Sequence, residues 1–172
     1  MNINFWLSII LLFSFESLCA QEGSESITKL IQQKQYTEAI SLCDQTILKT
    51  NEPNEKSRIL IWKAEATRFA VSNAEAIIIL SPLSKDLSLH DSIRYDASFN
   101  LGMCYYRESK LVDATNAFAQ AKELSKKLYG PDHKAYFSCL NNLGQMYKEQ
   151  AKFRDAELTF LEAKNLQFKN NK

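Results

Sequence analysis

Eleven of the 27 residues from Ser98 to Leu124 recur identically 42 positions later, without a gap. The first copy holds Asn100, Leu101, Gly102, Tyr105, Lys110, Asp113, Ala114, Phe118, Ala121, Lys122 and Leu124. The second repeats them from Asn142, Leu143 and Gly144 through Tyr147, Ala156 and Phe160 to Ala163 and Leu166. Self-similarity at such a period marks a chain built from stacked supersecondary units, each of which buries its apolar face only against its neighbours. That constraint points to helical hairpins.

The sequence has 172 residues and a 45% hydrophobic fraction, enough for one domain with a real core. Four Gly and three Pro leave little material for the many turns of a β-rich fold. The uncharged run Phe5 to Phe15 is too short to span a bilayer comfortably and suits the core of a signal peptide. Leu18-Cys19-Ala20 supplies small side chains before a cut at Gln21, so residues 1–20 are expected to be a signal peptide and 21–172 the folded domain. The alternative is a lipoprotein acylated at Cys19, although Glu16-Ser17-Leu18 fits the pattern poorly. The chain is thus expected to be exported, to the periplasm or beyond. Removing residues 1–20 takes away Glu16 and no base, leaving 19 acids against 21 bases, near +2. No electrostatic footprint for nucleic acid and no polybasic membrane patch results. The three remaining cysteines, Cys43, Cys104 and Cys139, are odd in number and form no CxxC pair. They read as small buried hydrophobes, with no disulfide framework and no zinc site.

Leu101-Gly102-x-x-Tyr105 followed by Ala114, Phe118 and Ala121 resembles the tetratricopeptide repeat, and Leu143-Gly144-x-x-Tyr147 with Ala156, Phe160 and Ala163 does so again. The long period, with Leu128-Tyr-Gly-Pro-Asp-His133 and Leu140-Asn-Asn-Leu143 between the copies, is similar to the long-repeat subclass of kinesin light chains and exported bacterial repeat proteins. The resemblance implies an all-α fold, a right-handed superhelical stack of about four hairpins. Upstream, Ala39 and Ala76 take the place of Ala114, which puts hairpins near residues 24–50, 55–84, 91–129 and 133–169. Linkers fall at Asn51–Asn54, Lys85–His90 and Gly130–Asp132, where Gly130 is expected to end one helix and Asp132 to cap the next. Gly102 and Gly144 are expected at the closest helix approaches, with Tyr105, Phe118, Tyr147 and Phe160 filling the space between hairpins. One register stays open. Counting back from Ala76 puts Ala64 in the glycine role, while Ile59, Trp62, Ala66 and Phe69 form the cleaner apolar stripe.

Glycines only at 23, 102, 130 and 144 permit neither a P-loop nor a GxGxxG dinucleotide turn. There is no GxSxG elbow and no HExxH, and His90 and His133 both fall in linkers. The expectation is no enzyme, no cofactor, no metal site and no catalytic residue.

In the family resembled, first helices line a concave groove. Carried over residue by residue, the groove comprises Asp96, Phe99, Met103 and Tyr106 from the third hairpin, with Arg107 at its rim. The fourth adds Ser138, Asn141, Gln145 and Lys148, where an Asn at the place of Asn141 contacts a bound peptide's backbone. The clamp that grips a free C-terminal carboxylate is not expected, because Ser24 and Thr28 stand where it needs Lys and Asn. The function implied is an exported, non-enzymatic protein–protein interaction module that holds an extended peptide or a partner's helix, with no membrane span in the mature chain. The alternative is the N-terminal sensor or regulatory fragment of a signalling or protease-type protein whose catalytic part is missing or separately encoded. Leu158, Leu161, Leu166 and Phe168 crowd the last helix, which favours either a truncated gene or another chain docking there.

Overall fold

The computed structural model describes residues 23–170, with side chains as far as Leu166, so the candidate signal peptide and the side chain of Phe168 lie outside it. Eight helices and no strand occur among the described residues. They are α1 (23–32), α2 (Tyr36–Lys49), α3 (Pro53–Ala70), α4 (Asn73–Lys85), α5 (Asp91–Arg107), α6 (Leu111–Tyr129), α7 (Lys134–Glu149) and α8 (Phe153–Asn170). Each helix packs on the next, and α3 also touches α5, so the chain is an all-α stack of helical hairpins.

Local chemistry sets the helix ends. Glu52 accepts hydrogen bonds from the Asn54 and Glu55 backbone N–H groups, and Pro53 opens α3 where its missing N–H costs nothing. Ser72 caps α4 by accepting from Glu75 N–H. Three hairpin turns share one solution. Lys34, Ser109 and Ala151 adopt left-handed backbone with φ of 61°, 58° and 57°. The next residue's N–H then reaches back five positions, as Lys110 does to Tyr105 and Lys152 to Tyr147, both at 2.9 Å. This is the Schellman closure, made here without glycine. In the second hairpin Ser72 N–H makes the same reach to the Thr67 carbonyl at 3.1 Å, while Val71 stays at φ −123°.

The repeat extends to burial. Ala97, Gly102 and Cys104 of α5 are buried, and so are Cys139, Gly144 and Met146 of α7. Ile59, Ala64 and Ala66 are buried at the same spacing in α3, so Ala64 holds the glycine place. Phe69 from the competing stripe is 55% exposed and stacks on Tyr36 at 4.9 Å.

The glycines are needed for rings rather than for helix backbones. A Cβ on Gly102 would stand 2.6 Å from the Phe118 ring, and one on Gly144 would stand 2.6 Å from the Phe160 ring. Each aromatic ring lies against its own hairpin's glycine. Phe118 then fills the gap to the next hairpin, packed with Ala114, Leu143 and Met146. Phe160 does not, and is 37% exposed.

Between α6 and α7, Gly130 has φ +85°, a conformation open chiefly to glycine. The cap that follows is not Asp132. His133 is the capping residue of α7, its Nδ1 accepting from Ala135 N–H at 3.2 Å while its ring lies against Tyr129. Asp132 stands one place too early for its carboxylate to take that position.

Candidate functional site

The first helices α3 and α5 touch directly, and Phe99 and Met103 of α5 share a cluster with Leu143 and Met146 of α7. On α5, Asp96, Tyr106 and Arg107 are exposed, and Phe99 and Met103 are half-buried. On α7, Ser138, Asn141 and Gln145 are half-buried, and Lys148 is exposed.

These residues divide by what already occupies them. Phe99 meets Phe118 edge-on at 5.6 Å, and Phe99 and Met103 both pack against the cluster of Phe118, Leu143 and Met146. Much of their apolar surface therefore holds the third hairpin to the fourth. Gln145 Nε2 donates to Glu149 Oε1 at 2.6 Å. Asn142 Nδ2 donates to the Ser138 carbonyl at 2.8 Å, just as Asn100 does to the Asp96 carbonyl at 2.9 Å. Neighbouring Asn141 differs: its half-buried amide makes no hydrogen bond among the described residues. A primary amide offers both a donor and an acceptor, the pair a peptide group requires.

Asp96 is open to solvent, yet enough protein surrounds it to push its carboxyl up to about 6, by desolvation that the Arg58 charge only partly offsets. Arg58 stands at the place in α3 that Asp96 holds in α5. Its own closer partner is Glu55, at 3.1 Å. Arg68, at the corresponding place to Tyr106, lies over the Phe69 ring at 4.4 Å, and its buried Nε has no hydrogen-bond partner. Arg58 and Arg68 join the wall only once Ala64 fixes the register of α3. That equivalence was the signal available in the sequence.

Burial pushes the Cys43 thiol up to about 12 and the Cys139 thiol up to about 11, and raises Cys104 as well. Thiols held protonated are poor nucleophiles and poor metal ligands. No group of three His, Cys, Asp or Glu side chains able to hold a metal ion occurs among the described residues. No helix among them is long and apolar enough to cross a membrane. The outward residues of α5 and α7 are amides, an exposed carboxylate and aromatic edges.

Residues 94–167 match the family model of the tetratricopeptide repeat, which covers the third and fourth hairpins. No curated protein matches the chain. Among solved structures, the chain is similar to BtubC (BKLC) from P. vanneervenii, with a TM-score of 0.73 at 16% identity over 91% of this chain and 72% of that one. It is also similar to a kinesin light chain with nearly identical TPR-like repeats from Podosopora anserina, with a TM-score of 0.52 at 15% identity. That match covers 87% of this chain and 95% of the other. At these identities the likeness is one of fold.

Proposed function

We propose that this chain is a non-enzymatic protein-binding module whose first helices grip an extended peptide or a partner's helix along the wall of α5 and α7. The observation that carries the reading is Asn141: a half-buried amide that makes no hydrogen bond among the described residues. Asp96 adds a preference. An exposed carboxylate on this face complements a positive partner, so the ligand carries a Lys or Arg where it passes α5. Tyr106, 36% exposed, offers an aromatic contact on the same wall.

The test uses a displayed library of random twelve-residue peptides selected on the full chain. Selected peptides should carry a basic residue, and Tyr106→Ala and Asn141→Ala should each weaken them without loss of helix content. Truncating a central contact costs about 2 kcal/mol at a hot spot, roughly thirtyfold in affinity. Exposed Asn116→Ala on α6 is the control and should change binding by less than about 0.5 kcal/mol. Equal binding by all three variants would place the contact surface elsewhere.

Export is part of the same proposal and rests on the Phe5–Phe15 run and the Leu18-Cys19-Ala20 ending. Mass spectrometry of the secreted fraction should find a chain beginning at Gln21; an intact Met1 would overturn it, and a lipid adduct on Cys19 would make the protein an anchored one.

A further inference from the structure

Two cations of α3 are matched within the protein: Arg58 pairs with Glu55 at 3.1 Å, and Lys63 pairs with Asp44 of α2. Arg68 is not. Its guanidinium lies over the Phe69 ring at 4.4 Å, and that ring stacks in turn on Tyr36 at 4.9 Å. Among the described residues it makes no hydrogen bond and no ion pair. Its Nε is buried, whereas the two terminal nitrogens are not. Two carboxylates could have neutralised it. Glu65 precedes it by three residues on the same side of α3, and Glu108 at the end of α5 bears on Cys104 as Arg68 does. Neither pairs with it. A cation desolvated on one side and unpaired on the other gains from an anion supplied from outside the chain.

The chemistry of the group selects the anion. Stacking on an aromatic ring restrains the guanidinium plane, and its two terminal N–H edges match the two oxygens of a carboxylate. A doubly charged phosphate suits the place less, because Glu65 lies one turn away on the same helix. Register then sets a distance. Arg68 holds the place in α3 that Tyr106 holds in α5, as Arg58 holds that of Asp96. Arg58 bears on Asp96 and Arg68 on Cys104, so the two touching helices run in the same direction. From the level of Asp96 to that of Arg68 is ten residues, about 15 Å of helix, with about 10 Å across to the neighbouring axis. An extended peptide, rising about 3.3 Å per residue, covers that diagonal in roughly four to six residues.

We propose that α3 reads the bound peptide through Arg68, which receives an Asp or Glu side chain about four to six residues from the base opposite Asp96. The inference rests on the peptide-binding reading and extends it to a helix outside residues 94–167, the part that matches the family model. The ligand is then defined by an acid and a base at a fixed spacing, and the acid is an internal side chain rather than a free C-terminus.

The experiment repeats the twelve-residue peptide selection on the full chain and on Arg68→Gln, Arg68→Glu and Lys49→Gln, with helix content followed by circular dichroism. Lys49→Gln removes an exposed charge from α2 and should select the same peptides as the unaltered chain. Those peptides should carry an acid about four to six places from the base. Arg68→Gln should select the base without the acid, and Arg68→Glu should exchange the acid for Lys or Arg. A second measurement needs no altered protein. The strongest peptide, made with an amidated C-terminus, should keep its affinity for the unaltered chain. Changing its acid to the matching amide should weaken binding at least about tenfold. Loss on C-terminal amidation would mean that a free terminus is held, and would overturn the proposal. So would an acid that persists with Arg68→Gln, or peptides that weaken with Tyr106→Ala yet carry no acid at that spacing; the peptide-binding reading would then stand alone. Selection of no peptide, or of peptides indifferent to Tyr106→Ala and Asn141→Ala, would overturn both.

Discussion

The third and fourth hairpins carry the same eleven residues, place the same ring over the same glycine at 2.6 Å, and differ at the surface. Phe118 is fully enclosed and Phe160 is 37% exposed. Their own hairpins treat both aromatics alike. The difference is the neighbour: α7 seals Phe118 with Leu143 and Met146, while Phe160 stays open to solvent. One motif thus serves as core in one copy and as surface in the next, so a repeat residue's contribution belongs as much to the interface as to the residue.

The comparison breaks most sharply at the aromatics themselves. Phe118→Ala should cost about 3–5 kcal/mol, as for a fully buried Phe, because the sealed site leaves a cavity that its neighbours cannot close. Phe160→Ala should cost roughly half as much or less, since part of that ring already meets water. Urea denaturation of the two variants reads the difference directly. Equal losses would mean that α8 is covered in solution.

The glycines sharpen the same point. Alanine at either position gains about 1 kcal/mol of helix propensity but drives a Cβ into a ring. At Gly102 the ring is locked, and overpacking of that kind should cost about 1–3 kcal/mol. At Gly144 the Phe160 ring is free to swing outward, so Gly144→Ala should lie within about 0.5 kcal/mol of the unaltered chain. Larger Gly144→Leu should fray the last hairpin first, because stacked repeats couple chiefly to their neighbours. Hydrogen exchange resolved by helix would show that order, and uniform loss across the stack would contradict it.

The turns should show the smallest contrast. Ser109 and Ala151 pay for left-handed backbone that Gly adopts freely, about 1 kcal/mol each. Ser109→Gly and Ala151→Gly should therefore stabilise by similar amounts, somewhat offset by the added freedom of the unfolded chain. The turn is local and does not register whether a next hairpin exists. Thermal denaturation that separates the two by more than about 0.5 kcal/mol would show that turn strain is shared with the packing.

Much of the fold was legible because a repeat writes its packing into spacing. Gly102, Ala114 and Phe118 recur at intervals that only paired helices satisfy, and the buried cysteines fit among them as small apolar groups. The cap at His133 was not legible, since Asp is the commoner capping residue and an imidazole accepts only in one tautomer. The register of α3 was ambiguous for a related reason: Phe69 supplies an apolar residue at helical spacing, yet spends it on a surface stack with Tyr36.

On the candidate wall, position along the helix placed Asp96, Tyr106, Arg107, Asn141 and Lys148 toward solvent, and spacing alone could do that. It could not separate Asn141 from Asn142, whose amide is consumed by its own helix, or foresee that Phe99 and Met103 would be drawn into the seam between hairpins. Nor could it raise the Asp96 carboxyl, which depends on the protein gathered around it in space. Periodicity and turn chemistry act within a hairpin, so the order of residues was enough to specify helices, hairpins and their repeat. Desolvation, hydrogen-bond capacity left unspent and the exposure of Phe160 depend on which neighbours arrive in space, and those were determined only when the hairpins stacked.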